Sequence, residues 1–228
     1  YAKDVGDAAA QRFIDETLAE HRPNDAVLSE EAADDSDRLT ADRVWIIDPL
    51  DGTQEYSEFD RADWAVHIAL WERKDADGKP SDEGSITEAA VALPAYNMTL
   101  STHQLPKTPD KHDGRPRLVV SRNRATREAV IVAEALDCDV ARLGSAGAKA
   151  MAVVLGEVDI YVHAGGMYQW DSAAPIAVAA AAGLFTSRID GTPLIYNRRD
   201  AWLPDLVVCQ QHLAQQVIDA LRAGRLGA

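Results

Sequence analysis

Residues 44–56 read Val44-Trp45-Ile46-Ile47-Asp48-Pro49-Leu50-Asp51-Gly52-Thr53-Gln54-Glu55-Tyr56, an apolar run ending in two aspartates three residues apart around a proline. Val44 to Ile47 is β-branched and aromatic, the composition of a buried strand. Pro49 lacks a backbone donor and Gly52 permits a sharp bend, so the strand is expected to stop there and present both carboxylates at a strand-to-turn edge. A helix opening near Thr53 would point its unpaired N–H groups at the same place, setting cation ligands beside an anion cradle. Taken alone, the segment is equally well explained as a plain turn, because Asp, Pro and Gly are turn residues.

The surrounding chain narrows the choice. Its 228 residues are 46% hydrophobic and 26% charged, enough for one large core or two modest ones. The formal charge of -14 argues against nucleic acid or an anionic membrane as a general partner. A small anion remains compatible, since a bound divalent cation reverses the local sign. Cys138 and Cys209 are the only cysteines and form no Cys-x-x-Cys pair, which suggests neither a disulfide framework nor a zinc knuckle and makes a reducing cytoplasm the expected location. The apolar run Ala173 to Phe185 is too short to span a bilayer and is broken by Pro175 and Gly183. No secretory signal is visible, and the chain opens on Tyr1, as one lacking a leading segment would.

From Asp7 to His21, Ala10, Phe13, Ile14, Thr17 and Leu18 recur at helical spacing, with Asp7 placed as an N-cap. Strands are expected at Ala26 to Ser29, Ala65 to Trp71, Ile86 to Leu93 and Thr99 to Thr102, with a turn over Asp75 to Gly84; such short connections imply antiparallel pairing. His103 to Pro116 carries three prolines and Gly114, and marks the boundary between a half at 1–105 and a half at 106–228 of one two-part unit. Beyond it, strands at Leu118–Ser121, Val140–Leu143, Asp159–His163 and Val207–Gln210 alternate with helices at Arg124–Leu136, Ala146–Leu155, Ala173–Ala182 and Leu213–Arg222. Helices covering a sheet follow from that alternation.

Four further places carry candidate chemistry: Glu30-Glu31 after a strand, Ser121-Arg122 at a strand end, Gly144-Ser145 before a helix bearing Lys149, and Asp171 before an apolar helix. Each has a plain alternative as a solvated acidic loop, surface polar residues or an N-cap. Mg²⁺ prefers carboxylate oxygens and water, so a site for it needs several carboxylates converging from different elements. Thirteen acids lie between Asp25 and Asp63 against three arginines, and most of them must face solvent.

The order and spacing of Leu28-Ser29-Glu30-Glu31, Trp45 to Thr53, Gly144-Ser145, Gly156-Glu157-Val158-Asp159 and Trp170-Asp171-Ser172-Ala173-Ala174-Pro175 resemble the Mg²⁺-dependent, lithium-sensitive phosphatase superfamily that includes inositol monophosphatase and fructose-1,6-bisphosphatase. Thr53-Gln54-Glu55-Tyr56 is similar to the Thr-Lys-Glu-Phe of the branch acting on 3′-phosphoadenosine 5′-phosphate, and Val120-Ser121-Arg122 with Lys149 points the same way. The runs at Asp63–Leu70 and Ser145–Met151 look closest to actinobacterial members of that branch.

The resemblance implies an α+β fold, a layered αβαβα sandwich. It implies two or three Mg²⁺ held by Glu30, Asp48, the Leu50 carbonyl, Asp51 and Asp171, inhibition by Li⁺, and a common dimeric state. Thr53 would orient the attacking water, and Asp7 would bind a weaker metal or help activate that water. Gly52 and Thr53 would cradle the phosphate, while Ser121, Arg122, Gly144, Ser145, Lys149 and Asp171 would contact the rest of the substrate. Two positions depart from the family pattern: Gly6 precedes Asp7 where relatives carry Thr, and Gln169 stands where many carry Glu. The implied activity is removal of the 3′-phosphate of adenosine 3′,5′-bisphosphate, a reaction of sulfur metabolism, by attack of a metal-activated water. The alternatives are inositol monophosphatase or fructose-1,6-bisphosphatase activity, and a catalytically silent nucleotide or Mg²⁺ sensor.

Overall fold

The structure, a computed structural model, describes residues 2–106 and 113–226. Helix α1 spans Ala2–His21, β1 Ala26–Ser29, β2 Arg43–Asp51, α2 Thr53–Ser57, β3 Ala65–Lys74, β4 Pro80–Leu93 and β5 Met98–Ser101. These strands form one sheet in the order β1-β2-β3-β4-β5, with β1 parallel to β2 and the remaining pairs antiparallel. The second half adds β6 at Arg117–Ser121, α3 at Arg127–Ala135, β7 at Asp139–Leu143, α4 at Ala146–Val154, β8 at Ile160–Tyr168, α5 at Gln169–Ala181, β9 at Phe185–Ser187, β10 at Trp202–Cys209 and α6 at Ala214–Leu226. Its sheet runs β7-β6-β8-β10-β9.

Five layers result. Helix α1 covers one face of the first sheet with α2 packed against it, α4 and α5 lie between the sheets, and α3 and α6 cover the far face of the second. The larger core gathers around α4 and α5, whose Ala-rich faces let two sheets approach one pair of helices. A second core of Leu118, Val132, Ile160, Val217 and Leu221 fills the space beneath α3 and α6. The layered αβαβα arrangement implied by the family resemblance is therefore the observed one.

Several local expectations change. Strand β2 runs past Pro49 to Asp51, because its register with β3 slips between Asp48 and Asp51 and the missing donor falls in that irregularity. Helix α1 begins at Ala2, so Asp7 is an interior residue, not an N-cap. Its buried face is Asp7, Gln11 and Ile14, whereas Phe13 is exposed. The turn expected over Asp75 to Gly84 closes within five residues, because the Asp75 carboxylate accepts from the Asp77 and Lys79 N–H groups and lets β4 start at Pro80. Helix α3 starts at Arg127 behind the Thr126 cap, α5 starts four residues early at Gln169, and β9 was not expected at all. The boundary placed at His103 to Pro116 falls partly on residues 107–112, outside the described residues.

Candidate active site

The site grows from the end of β2, which is held on both edges. The parallel register sets Ser29 beside Ile47, and the Glu30 N–H donates to the Ile47 carbonyl at 3.3 Å. That pairing delivers Glu30 to the side of Asp48. Asp48 is 1% exposed, and its carboxylate accepts from the Leu50 N–H at 3.0 Å, an Asx turn that fixes the side chain while β2 bends. Gly52 caps α2 at φ 87°, a left-handed conformation that a side chain would strain and that turns Thr53 into the helix. Asp171 enters from α5, where its Oδ2 accepts the Tyr168 N–H at 2.6 Å in a capping box.

The carboxylates stand close enough to disturb one another. Burial first, and then Asp51, Glu30 and Asp171, push Asp48 well above the usual carboxylate range. Partial desolvation, together with Asp171, Asp7, Glu31 and Asp51, raises Glu30 to about 7. Burial and Asp51 raise Asp171 to about 6. Asp7, buried on α1, thus faces the same cluster. Asp51 goes the other way: burial opposes its ionisation, but His67, Ser145 and the Gly147 N–H hold it down at about 2.

Asp51 is gripped by the start of α4. The Ser145 hydroxyl donates to it, as do the Gly147 N–H at 2.6 Å and the Ala146 N–H at 3.3 Å. His67, fully buried on β3, lies with Nε2 3.2 Å from Asp51 Oδ2, within ion-pair range though off the line of a good hydrogen bond. Its Nδ1 is 3.1 Å from the Trp170 carbonyl, which can only accept, so that nitrogen carries a proton. Burial disfavours the imidazolium, yet Asp51 and the Trp170 carbonyl outweigh it and raise the His67 pKa. The histidine therefore ties β3, β2 and α5 together through the site.

A Cβ at Gly147 would fall 2.0 Å from His67 Nε2. Gly147→Ala is expected to destabilise the fold by about 1–3 kcal/mol, because the fully buried imidazole has no room to retreat. Thermal melting against wild type reads the effect, and an unchanged melting temperature would show that the ring relaxes freely.

The same donor set answers whether a cation fits. Carboxylates and the Leu50 carbonyl are hard oxygen ligands, and their mutual repulsion is what a divalent ion would relieve. Among the described residues, no three His, Cys, Asp or Glu side chains already converge as a finished cage. Mg²⁺ does not require one, since it keeps several waters and binds through one or two carboxylates.

Several of the residues expected on the substrate side meet this cluster in a cleft of about 370 Å³ lined by Asp51, Asp171, Ser121, Gly144, Lys149 and Tyr168, among others. A larger cleft of about 960 Å³, between the β3–β4 hairpin, α5 and Leu194–Tyr196, contains none of the candidate site residues. Ser121 ends β6 at the mouth of the smaller cleft. The Lys149 ammonium is buried and donates to the Gly144 and Ser145 carbonyls, 5.4 Å from the centre of the Tyr161 ring; burial lowers its pKa to about 8. In this state it braces the Gly144-Ser145 turn.

Arg122 is turned away, forming a two-pronged pair with Glu58 and lying 3.4 Å from Glu55. Glu55, buried at the end of the opening motif, thereby links α2 to the second half. Sequence reasoning missed Asp63, whose carboxylate accepts the Gly144 N–H at 2.6 Å, and also His67. The available signal for His67 was its place in the inward series Ala65, His67, Ala69, Trp71 on β3, where an apolar residue is expected.

The sequence profile of the inositol monophosphatase family matches residues 4–224. The chain belongs to that family. Among its relatives in the family, the 3′-phosphoadenosine 5′-phosphate phosphatase of Mycobacterium bovis is 48% identical over 221 residues, covering 96% of this chain and 81% of that protein. The 3′(2′),5′-bisphosphate nucleotidase CysQ of Escherichia coli is 32% identical over 211 residues, covering 87% and 81%. The solved inositol monophosphatase-II of Staphylococcus aureus superposes with a TM-score of 0.76 at 21% identity, covering 96% of this chain and 85% of that one, which establishes the family fold.

Proposed function

We propose that this protein is a phosphomonoesterase that removes the 3′-phosphate of adenosine 3′,5′-bisphosphate, giving AMP and phosphate, and acts in the same way on the sulfated analogue to give adenosine 5′-phosphosulfate. The observation that carries the reading is the gathering of Glu30 from the end of β1, Asp48 and Asp51 from β2 and Asp171 from α5 beside a cleft that also holds Ser121, Gly144 and Lys149. Support for a nucleotide over a sugar phosphate comes from the names of the relatives above and from Glu55, which fastens α2 to Arg122. Among the described residues, no helix is long and apolar enough to cross a membrane.

In this reading Glu30, Asp48, the Leu50 carbonyl, Asp51 and Asp171 hold Mg²⁺, and Asp7 supports a weaker position. The cations, when bound, offset charge on the phosphoryl oxygens and lower the pKa of coordinated water. The protein's own part is placement. Asp51 stays anionic at all physiological pH because His67, Ser145 and the Gly147 N–H hold it so. Thr53, at the first position of α2, orients the attacking water in line with the leaving 3′-oxygen, while Gly52 and Thr53 N–H groups receive the phosphoryl oxygens. The first half, 1–105, supplies the metal ligands apart from Asp171, and the second, 106–228, the substrate wall. Li⁺ inhibits by taking a cation position with less charge. Phosphate release from adenosine 3′,5′-bisphosphate, inositol 1-phosphate and fructose 1,6-bisphosphate, with and without Mg²⁺ and Li⁺, tests this. The highest kcat/KM is expected on the nucleotide and only with Mg²⁺; equal or better turnover of inositol phosphate would assign the sugar-phosphate activity, and tight nucleotide binding without turnover a sensor.

A further inference from the structure

Beside the same cleft, three aromatic rings form a rigid shelf. Tyr168 and Trp202 are directly opposite each other where β8 ends and β10 begins, their rings 5.4 Å apart and edge to face. Trp170 stacks beneath Tyr168 at 4.6 Å with 13° between planes. Trp202 lies where a side chain on residue 166 would be, since a Cβ at Gly166 would come within 1.6 Å of its ring, and its backbone N–H donates to the Asp200 carboxylate at 3.0 Å. Packing thus fixes the rings, yet Tyr168 remains 45% and Trp202 46% exposed, and both line the cleft shared by Asp51 and Asp171. Rigid, half-exposed aromatics in a cleft are poorly accounted for by stability alone, because their apolar faces remain in water.

We propose that Tyr168 and Trp202 form the purine-stacking platform of the substrate site, so that the base lies on them while the 3′-phosphate reaches the carboxylates. The placement fits the chain's connectivity. Tyr168 is the N-cap of α5 and its N–H is bonded to Asp171, so platform and carboxylate move as one unit. The cleft volume of about 370 Å³ is in the range of small-molecule sites. Stacking on an aromatic face tolerates any base but requires one, which distinguishes nucleotides from inositol or fructose phosphates.

This inference rests on the nucleotide reading above, and binding separates the two. Tryptophan fluorescence is titrated with AMP and with ribose 5-phosphate in Mg²⁺, for wild type, Tyr168→Leu, Tyr168→Phe and Trp202→Leu. AMP is expected to quench wild type and to bind at least about tenfold more tightly than ribose 5-phosphate. Tyr168→Leu and Trp202→Leu should weaken AMP by about tenfold with little change for ribose 5-phosphate, and Tyr168→Phe should retain wild-type affinity. Trp202 also packs over Gly166, so the Tyr168 pair carries the test if Trp202→Leu fails to fold. Equal affinity of wild type for the two ligands, or unchanged AMP affinity in Tyr168→Leu, overturns the platform even if the nucleotide is hydrolysed. A platform confirmed by binding without phosphate release would overturn the reaction alone.

Discussion

Replacing Asp48 by Asn is expected to abolish Mg²⁺-dependent phosphate release and, at the same time, to make the metal-free protein more stable. Asn keeps the acceptor for the Leu50 N–H and the volume of the 1%-exposed side chain, so the bend at the end of β2 survives. It removes the charge that burial, Asp51, Glu30 and Asp171 all disfavour. Loss of a cation ligand forfeits several kcal/mol of transition-state stabilisation, on the order of 10³-fold in kcat/KM or more.

The pH dependence has a definite sign. Carboxyls whose folded pKa lies above the unfolded value bind more protons in the folded state, so stability is present at low pH and falls as pH rises through the folded pKa. In chelator, wild type should lose melting temperature as pH climbs from roughly 4, near the unfolded carboxyl values, through the values of about 6 for Asp171 and about 7 for Glu30. Asp48→Asn should melt higher at neutral pH and decline less steeply. Added Mg²⁺ should raise the wild-type melting point and barely move that of the variant. Full retained activity would remove Asp48 from the site, and an unchanged melting profile would mean that the carboxylates do not repel as the geometry requires.

What could be read in the sequence was the chemistry concentrated in short runs. Asp48 and Asp51 announce themselves because a strand edge, a proline and a glycine flank acids at fixed spacing, whereas Glu30 and Asp171 as ligands and the full αβαβα layering came only with the family resemblance, the alternation of strands and helices giving just the covered second sheet. What was hidden depends on partners far along the chain. His67 matters through Trp170, 103 residues away, and nothing in Val66-His67-Ile68 shows it. Asp7 was misplaced as a cap because helix α1 starts earlier than its apolar spacing indicates, and Phe13 because that spacing does not say which apolar residue faces the sheet. Pro49 was read as a stop because a register slip that absorbs its missing donor is a property of the β2–β3 pair, not of β2. Arg122 and Lys149 were placed beside substrate by the family resemblance; the structure pairs Arg122 with Glu58, and fastens Lys149, which does line the cleft, to two carbonyls.

The second large effect is structural. Arg38→Ala is expected to lower stability by roughly 3 kcal/mol, because an arginine only 1% exposed is the shared donor for five acceptor atoms. Its guanidinium is forked onto Asp34 at 2.6 and 3.0 Å, reaches the Asn197 side-chain oxygen at 2.8 Å, and donates to the Arg198 and Arg199 carbonyls at 3.1 and 3.4 Å. Asn197 answers by donating to the Arg38 carbonyl at 3.2 Å, which closes the link between the segment after Glu30 and the loop before β10. Asp34 is half-exposed and is rehydrated when the arginine is lost, whereas Asn197 is buried and has its side-chain oxygen left without this donor.

For a domain of this size, roughly 3 kcal/mol corresponds to a fall of about 6–12 °C in melting temperature. Arg38→Lys should recover little of it, since a single ammonium cannot reproduce the planar fork toward Asp34 and Asn197 together. Mg²⁺ half-saturation should move much less than stability does, because the Glu30 N–H is separately tied to the Ile47 carbonyl and keeps Glu30 beside Asp48 when the latch is gone. A melting point within about 2 °C of wild type would show that water replaces the guanidinium at small loss. A rise in Mg²⁺ half-saturation as steep as the stability loss would instead make Arg38 the residue that positions Glu30, and the β1–β2 register insufficient for that task.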